Sequence, residues 1–205
     1  VLGRDRFPVD VEAVARELSH QWCPTSPITK IDGHKGLGRF EGALQQHPRG
    51  KYWRIKYNAD RRPSRARFTI AHEFGHYLHH RLVLCGSPTC DGMSEGWGDF
   101  TALIMVIKAD DVFPGKAYPL AQYATGGANP NGTYFGIRRA PYSVELDKNP
   151  LTFQHIRKSA KLPMSAPMTP SSPDMTEVHN VGEIWAQMLF EAYVGLIESG
   201  RQAGR

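Results

Sequence analysis

The most informative stretch of this sequence is His72-Glu73-Phe74-Gly75-His76. Because an α-helix repeats every 3.6 residues or so, His72 and His76 lie on one face and can bind one metal ion. Glu73 follows His72 directly, where its carboxylate can reach a metal-bound water. The spacing therefore predicts a helix that carries two metal ligands and a general base.

A second acidic segment, GMSEGWGDF, occupies residues 92–100. Its Glu95 lies 19 residues after His76 and is the candidate third ligand, on a second helix. Two histidines and a glutamate with an open fourth position form a common catalytic zinc site. Asp99, one helical turn after Glu95, can hydrogen-bond a ligating imidazole. We predict one Zn²⁺ bound by His72, His76 and Glu95; solvated histidines and surface acids are the alternative.

Composition excludes several classes of protein. The chain has 205 residues, 40% hydrophobic and 22% charged, which suffices for one domain or two small lobes. The net charge of +5 comes from scattered basic residues, which we interpret as a solvated surface. The longest apolar run, residues 102–107, is far shorter than the roughly 18 residues that span a membrane. We expect no nucleic-acid partner and no membrane.

Cysteines and chain ends give weaker information. Three cysteines argue against a dense disulfide framework. Cys85 and Cys90 flank a short turn, and either pair in an oxidising compartment or remain free thiols. The chain begins at Val1 rather than at Met, so we expect that this is not the encoded N-terminus.

Hydrophobic periodicity predicts a mixture of helices and strands. His80 continues the histidine face of the motif helix, and we interpret it as a cation at the helix C-terminus. Residues 114–150 are rich in Gly and Pro and predict loops at a binding rim. The predicted helices cover residues 10–21 (with Asp10 as N-cap), 65–82 (with Ser64 as N-cap), 94–108, 152–161 and 181–198, and the predicted strands are 37–44 and 52–57, joined by a turn at 47–50.

From Cys90 to Ser199, several separate motifs occur in the order of one known family. They are GMSEGWGDF (92–100), YFGIRR (134–139), PYS (141–143), NPLTF (149–153) and VHNVGEIWA (178–186). On these motifs the chain resembles the fungalysin family of zinc metallopeptidases. The resemblance implies a thermolysin-like (gluzincin) fold, zinc, and protein or peptide substrates. It also implies that His179 stabilises an oxyanion with Asp174, five residues earlier, as its partner; alternatively, His179 merely lies at the start of the last helix.

The N-terminal part is similar to a different family. The segments PVDVEAVA (8–15), FEGA (40–43), IKYN (55–58) and RFTIAHEFGHYLHHR (67–81) resemble the ImmA/IrrE family of intracellular metallopeptidases, which cut transcriptional repressors. The downstream Glu followed by Ala-Asn that is usual in that family is missing, and the fungalysin-like Glu95 segment stands there instead. Because fungalysin domains normally continue past the last helix, we expect this chain to be short at its C-terminus.

Together these observations predict an α+β fold of the thermolysin-like class. Residues 1–88 form an ImmA/IrrE-like lobe with a helix, a hairpin and the motif helix, and residues 89–205 form a mainly helical, fungalysin-like lobe. The predicted function is a zinc-dependent endopeptidase with Glu73 as general base. The alternatives are a repressor-cleaving ImmA/IrrE-type peptidase and an inactive chimeric domain that binds peptides. The first resemblance implies an extracellular location and the second a cytoplasmic one.

Overall fold

The computed structural model of the chain describes residues 9–108, 110–124, 132–157, 159–162 and 177–204. These residues form a mixed α/β fold with one three-stranded sheet, which confirms the α+β class. The elements in chain order are α1 (Val11–Trp22), β1 (Ile28–His34), β2 (Gly42–Gln46), β3 (Trp53–Asn58), α2 (Pro63–His80), α3 (Pro88–Ile104), α4 (Gly132–Phe135) and α5 (Val178–Gln202), with 3₁₀ turns at Gln122–Ala124 and Phe153–Ile156.

The sheet has the strand order β1-β3-β2. β2 and β3 pair antiparallel, which confirms the predicted hairpin, and Gly50 in its turn has a φ of 66° that favours glycine. The first hairpin strand begins at Gly42, so the predicted strand at residues 37–44 is wrong in its first half. β1, which the sequence analysis missed, lies parallel to β3.

Proline sets the start of both helices that carry the candidate ligands. α2 begins at Pro63, after Arg62 in the cap position, so the prediction of Ser64 as N-cap is wrong. α3 begins at Pro88, with Ser87 accepting a hydrogen bond from the Cys90 N–H, and not at residue 94. Proline suits the first turn of a helix because the N–H that it lacks would have no partner there.

The other predicted helices have mixed outcomes. Asp10 caps α1 as predicted, accepting a hydrogen bond from the Ala13 N–H at 3.0 Å. The helix predicted at residues 152–161 is wrong, because the described residues of this segment, 152–157 and 159–161, contain just the 3₁₀ turn Phe153–Ile156. α5 begins at Val178, earlier than predicted.

Close packing of three helices brings the candidate site together. α3 packs against both α2 and α5. Where α2 crosses α3, Gly75 contacts the backbone of Trp97 and Gly98 so closely that a Cβ would collide with it. On the other side of α3, the buried face of α5 includes Val181 and Ile184. This packing places the histidine face of α2, Glu95 of α3 and the start of α5 around one cavity.

The connection between α2 and α3 is closed by a disulfide. Cys85 and Cys90 are bonded, which is the paired alternative of the sequence analysis, and Cys23 is a free thiol. Among the helices that the structure describes, none has both the length and the apolar character needed to cross a membrane.

Candidate active site

The two histidines of the motif and the glutamate of α3 converge on one point. His72 and His76 lie one turn apart on α2, and Glu95 approaches them from α3. The Nε2 atom of His72 is 3.3 Å from Glu95 Oε2, and the Nε2 atom of His76 is 3.8 Å from Glu95 Oε1. One ligand atom from each of the three residues lies within 4.8 Å of the others.

This arrangement fits a zinc ion. Tetrahedral zinc with ligand distances of about 2.0–2.1 Å requires ligand atoms roughly 3.3 Å apart. Within the described residues, the buried Glu95 Oε2 accepts no hydrogen bond, which leaves its lone pairs available for a cation. The three side chains thus offer two imidazole nitrogens and one carboxylate oxygen, the donor set of a catalytic zinc site.

The protonation of these groups also suits a cation. Burial and the neighbouring His72 lower the pKa of His76 to about 3, which leaves its ring neutral. Burial opposes ionisation of Glu95, but the close approach and charge of His72 outweigh it and lower the pKa of Glu95 to about 2. Burial likewise disfavours a charged His72, yet Asp99 and Glu95 raise the pKa of His72 to about 10. The carboxylates of Asp99 and Glu95 thus create a strongly negative field at His72, where a metal ion would take the place of a ring proton.

Asp99 lies directly behind His72. Its Oδ1 is 3.4 Å from His72 Nδ1, a close approach without hydrogen-bond alignment. The carboxylate is fully buried and binds Arg138 through two hydrogen bonds of 2.6 and 2.7 Å. Tyr142 donates a third hydrogen bond to Asp99 at 3.0 Å. Asp99 therefore stays ionised in the core, and its pKa lies below the usual range despite burial because of Arg138 and His72.

The side chain of Glu73, on α2, lies beside the edge strand β2. It is 8% exposed, and a Cβ on Gly42 of β2 would lie 3.3 Å from its Oε1. Burial raises the pKa of Glu73 to about 7, partly opposed by His72 and the Leu44 backbone. A carboxylate with this pKa can both take and return a proton near neutral pH.

His179 enters the site from the first turn of α5. Its Nε2 atom is 3.4 Å from Glu95 Oε2, and its side chain is 47% exposed. Its Nδ1 atom is 2.6 Å from Glu177 Oε1, while the other oxygen of Glu177 accepts a hydrogen bond from the Asn180 N–H and caps α5. The predicted partner of His179, Asp174, lies outside the described residues.

Apart from Asp99 and Tyr142, which are buried behind the site, these groups line one cavity of about 980 Å³. One wall comes from β2 and α2, and includes Glu73 and Phe68. The other comes from α3, the segment at Arg138 and the start of α5 with His179. The cavity is large enough to bind several residues of a peptide, since ligand pockets commonly measure about 300–1,000 Å³.

The family described as fungalysin metallopeptidase (M36) matches residues 48–203, more than half of the chain. The chain belongs to the fungalysin family. The match begins well before Cys90, so this fungalysin-family chain carries its motif helix and β3 within the matched region, which extends the resemblance found from Cys90 onward.

Individual relatives of this fungalysin-family chain are named metalloproteinases. Extracellular metalloproteinase 9 of Coccidioides posadasii is 34% identical over 138 residues, which cover 63% of this chain and 18% of that protein. Extracellular metalloproteinase 2 of Arthroderma benhamiae and extracellular metalloproteinase mep of Aspergillus terreus are each 33% identical over the same shares. The chain thus spans less than a fifth of the length of these relatives.

Sequence reasoning missed several residues of the site. Glu177 caps α5, but glutamate is not among the favoured N-cap residues and the predicted helix begins only at residue 181. Arg138 and Tyr142 come from the Gly/Pro-rich segment, where no periodicity indicates which side chains point inward. Ser94, which contacts His76, was interpreted only as the start of α3.

Proposed function

We propose that the chain is the catalytic part of a zinc-dependent endopeptidase that hydrolyses peptide bonds in proteins or peptides. The convergence of His72, His76 and Glu95 on one point in the cavity, with Glu73 beside it, is the observation that carries this proposal. The names of the relatives support it, since each is a metalloproteinase.

The metal would be bound by the Nε2 atoms of His72 and His76 and by the carboxylate of Glu95. When bound, zinc lowers the pKa of a water molecule and polarises the scissile carbonyl. Asp99 supports this set from behind His72, because a carboxylate close to Nδ1 favours the tautomer with the proton on that nitrogen. Nε2 of His72 is then free to act as a ligand.

Glu73 acts as the general base in this proposal. Its carboxylate takes a proton from the attacking water and later delivers it to the leaving amine. A base is most effective when its pKa lies near the working pH, and burial has raised the pKa of Glu73 to about 7. Its backbone position next to His72 keeps the carboxylate on the cavity side of α2.

His179 donates a hydrogen bond to the oxyanion that develops on the substrate. For this, its Nε2 must carry a proton; when Nδ1 also donates to a carboxylate, the ring is an imidazolium in which both nitrogens are donors. Glu177 supports this role because it lies 2.6 Å from Nδ1. We propose Glu177 as the partner of His179, in addition to the Asp174 that the resemblance implies.

The finer fold and location are also part of the proposal. We propose a thermolysin-like (gluzincin) arrangement, with lobes at residues 1–88 and 89–205 facing each other across the cavity. The relatives are named extracellular metalloproteinases, which supports secretion of this protein. The ImmA/IrrE-type alternative, cytoplasmic repressor cleavage, is not favoured, because the fungalysin match extends across the motif helix itself.

Glu73→Gln tests the function. We expect this variant to keep one zinc per chain, measured by elemental analysis, while hydrolysis of casein falls by about 10²–10⁴-fold. The exposed Glu17 of α1 provides the matched control, and Glu17→Gln should cut casein like the parent. A Glu73→Gln variant as fast as its parent would refute the base, and a zinc-loaded parent that cleaves nothing would favour the inactive chimeric domain.

A further inference from the structure

A third histidine follows the two candidate ligands along α2. The ring centroids of His72 and His76 are 4.7 Å apart, and those of His76 and His80 are 6.1 Å apart. His80 also lines the cavity. Its position in the sequence predicts a cation at the helix end, without any partner on α3.

Ser94 of α3 bridges His76 and His80. Its Oγ lies 2.8 Å from His76 Nδ1 and 3.0 Å from His80 Nε2. Ser94 is 2% exposed, so this hydroxyl is shielded from water, and it directly precedes the candidate ligand Glu95. The bridge therefore joins the end of the motif helix to α3 at the metal site.

The chemistry of the three groups fixes the direction of their hydrogen bonds. A histidine that binds metal through Nε2 must carry its proton on Nδ1, so His76 donates to Ser94 Oγ. A hydroxyl has one proton and two lone pairs, and Ser94 can then donate its proton to Nε2 of His80. His80 thereby orients the hydroxyl so that a lone pair of Ser94 faces His76.

We propose that Ser94 and His80 are positioning residues that fix the ring and tautomer of His76 for metal binding. This inference rests on the proposed zinc site and adds to it a relay of hydrogen bonds, His76–Ser94–His80. The relay contrasts with His72, behind which a buried carboxylate lies. The partners of ligating histidines typically contribute about 10–100-fold to metal affinity.

Zinc affinity, measured by competition with a chromophoric chelator, tests the relay. Ser94→Ala removes the acceptor and should weaken zinc binding by about 10–100-fold. His80→Phe keeps a ring beside His76 but removes the acceptor nitrogen, and should weaken binding less than Ser94→Ala. His80→Gln places an amide oxygen near the former Nε2 and should restore affinity toward that of the parent. The exposed Ser199 provides the control, and Ser199→Ala should bind zinc like the parent.

Two further measurements separate positioning from folding and from catalysis. The visible spectrum of the Co²⁺-substituted protein should shift in Ser94→Ala, because the geometry around His76 changes, while the melting temperature of the zinc-free form reports folding. The double variant Ser94→Ala/His80→Phe should be no worse than Ser94→Ala alone, since the relay is already broken.

The outcomes distinguish the relay from the proposed function. If Ser94→Ala and His80→Phe bind zinc as tightly as the parent, the relay is wrong, even if the parent cuts casein. If His80→Phe and His80→Gln lose the same amount of zinc affinity, the relay is also wrong, because a hydrogen-bond acceptor at this position would then make no difference. A parent that binds zinc through the relay yet cleaves no casein would leave the relay standing and refute the peptidase.

Discussion

Gly98 occupies the point where α3 passes His72, and Gly98→Ala should disturb the metal site through one methyl group. The added Cβ would lie 2.7, 2.8 and 2.9 Å from Cε1, Nδ1 and Nε2 of His72. Because non-bonded carbon atoms prefer about 3.5–4.0 Å, the ring would have to retreat by roughly 0.6–1.3 Å. Asp99 lies behind the ring and His76 lies beside it, so the ring must rotate away from its present direction.

The effects on stability and on metal binding differ in size. Alanine is favoured over glycine in a helix by about 1 kcal/mol, whereas overpacking costs about 1–3 kcal/mol. We therefore expect a net loss of about 0–2 kcal/mol in the free energy of unfolding of the zinc-free form. Displacing the His72 ring should weaken zinc binding by at least about 10-fold. This is comparable to the effect of removing the hydrogen-bond partner of a metal-ligating histidine.

Chelator competition and urea unfolding of the zinc-free protein measure these two quantities. The control is Gly195 of α5, where an added Cβ meets nothing within 4 Å. Gly195→Ala should raise stability by up to about 1 kcal/mol and leave zinc affinity unchanged. If Gly98→Ala binds zinc as tightly as the control, then the pose of His72 is irrelevant to the metal, and the proposed ligand set fails.

Further predictions concern the other groups of the site. Glu95→Ala should lose stoichiometric zinc in elemental analysis, and full occupancy in that variant would show that the third ligand is misassigned. His179→Ala should keep zinc and lower kcat by about 10²–10³-fold. Glu177→Gln should lower kcat by a smaller factor. If the two reductions in kcat multiply in the double variant, the two residues act separately. Asp99→Leu leaves Arg138 buried without its carboxylate, which should destabilise the fold by about 3–5 kcal/mol in urea unfolding; a smaller change than 1 kcal/mol would contradict this account.

The sequence could predict features that depend on local periodicity. Helix geometry places His72 and His76 on one face of α2. The approach of Glu95 also needs the packing of α3 on α2, and the structure brings the three side chains together. The hairpin turn at residues 47–50 was equally local, because a Pro and a Gly mark it directly.

Features that depend on tertiary packing could not be predicted. β1 has Ile28 and Ile31 buried, and a shift in register between Ile28 and Lys30 breaks the alternation that would reveal a strand. The contact of Ser94 with His76 depends on the exact crossing of α2 and α3, which no spacing within one helix specifies. Glu177 takes its place at His179 through the cap of α5, whose start was predicted three residues too late.

The helix pair α2–α3 also has a consequence for the order of assembly. The three candidate ligands lie between residues 72 and 95, whereas His179 comes from α5, much later in the chain. Local contacts form faster than distant ones, since closing a short loop loses less chain entropy. We expect zinc capture to precede the arrival of His179 during refolding, which stopped-flow zinc uptake and the delayed onset of casein hydrolysis would resolve. In this order the metal would be bound before the proposed peptidase site is complete.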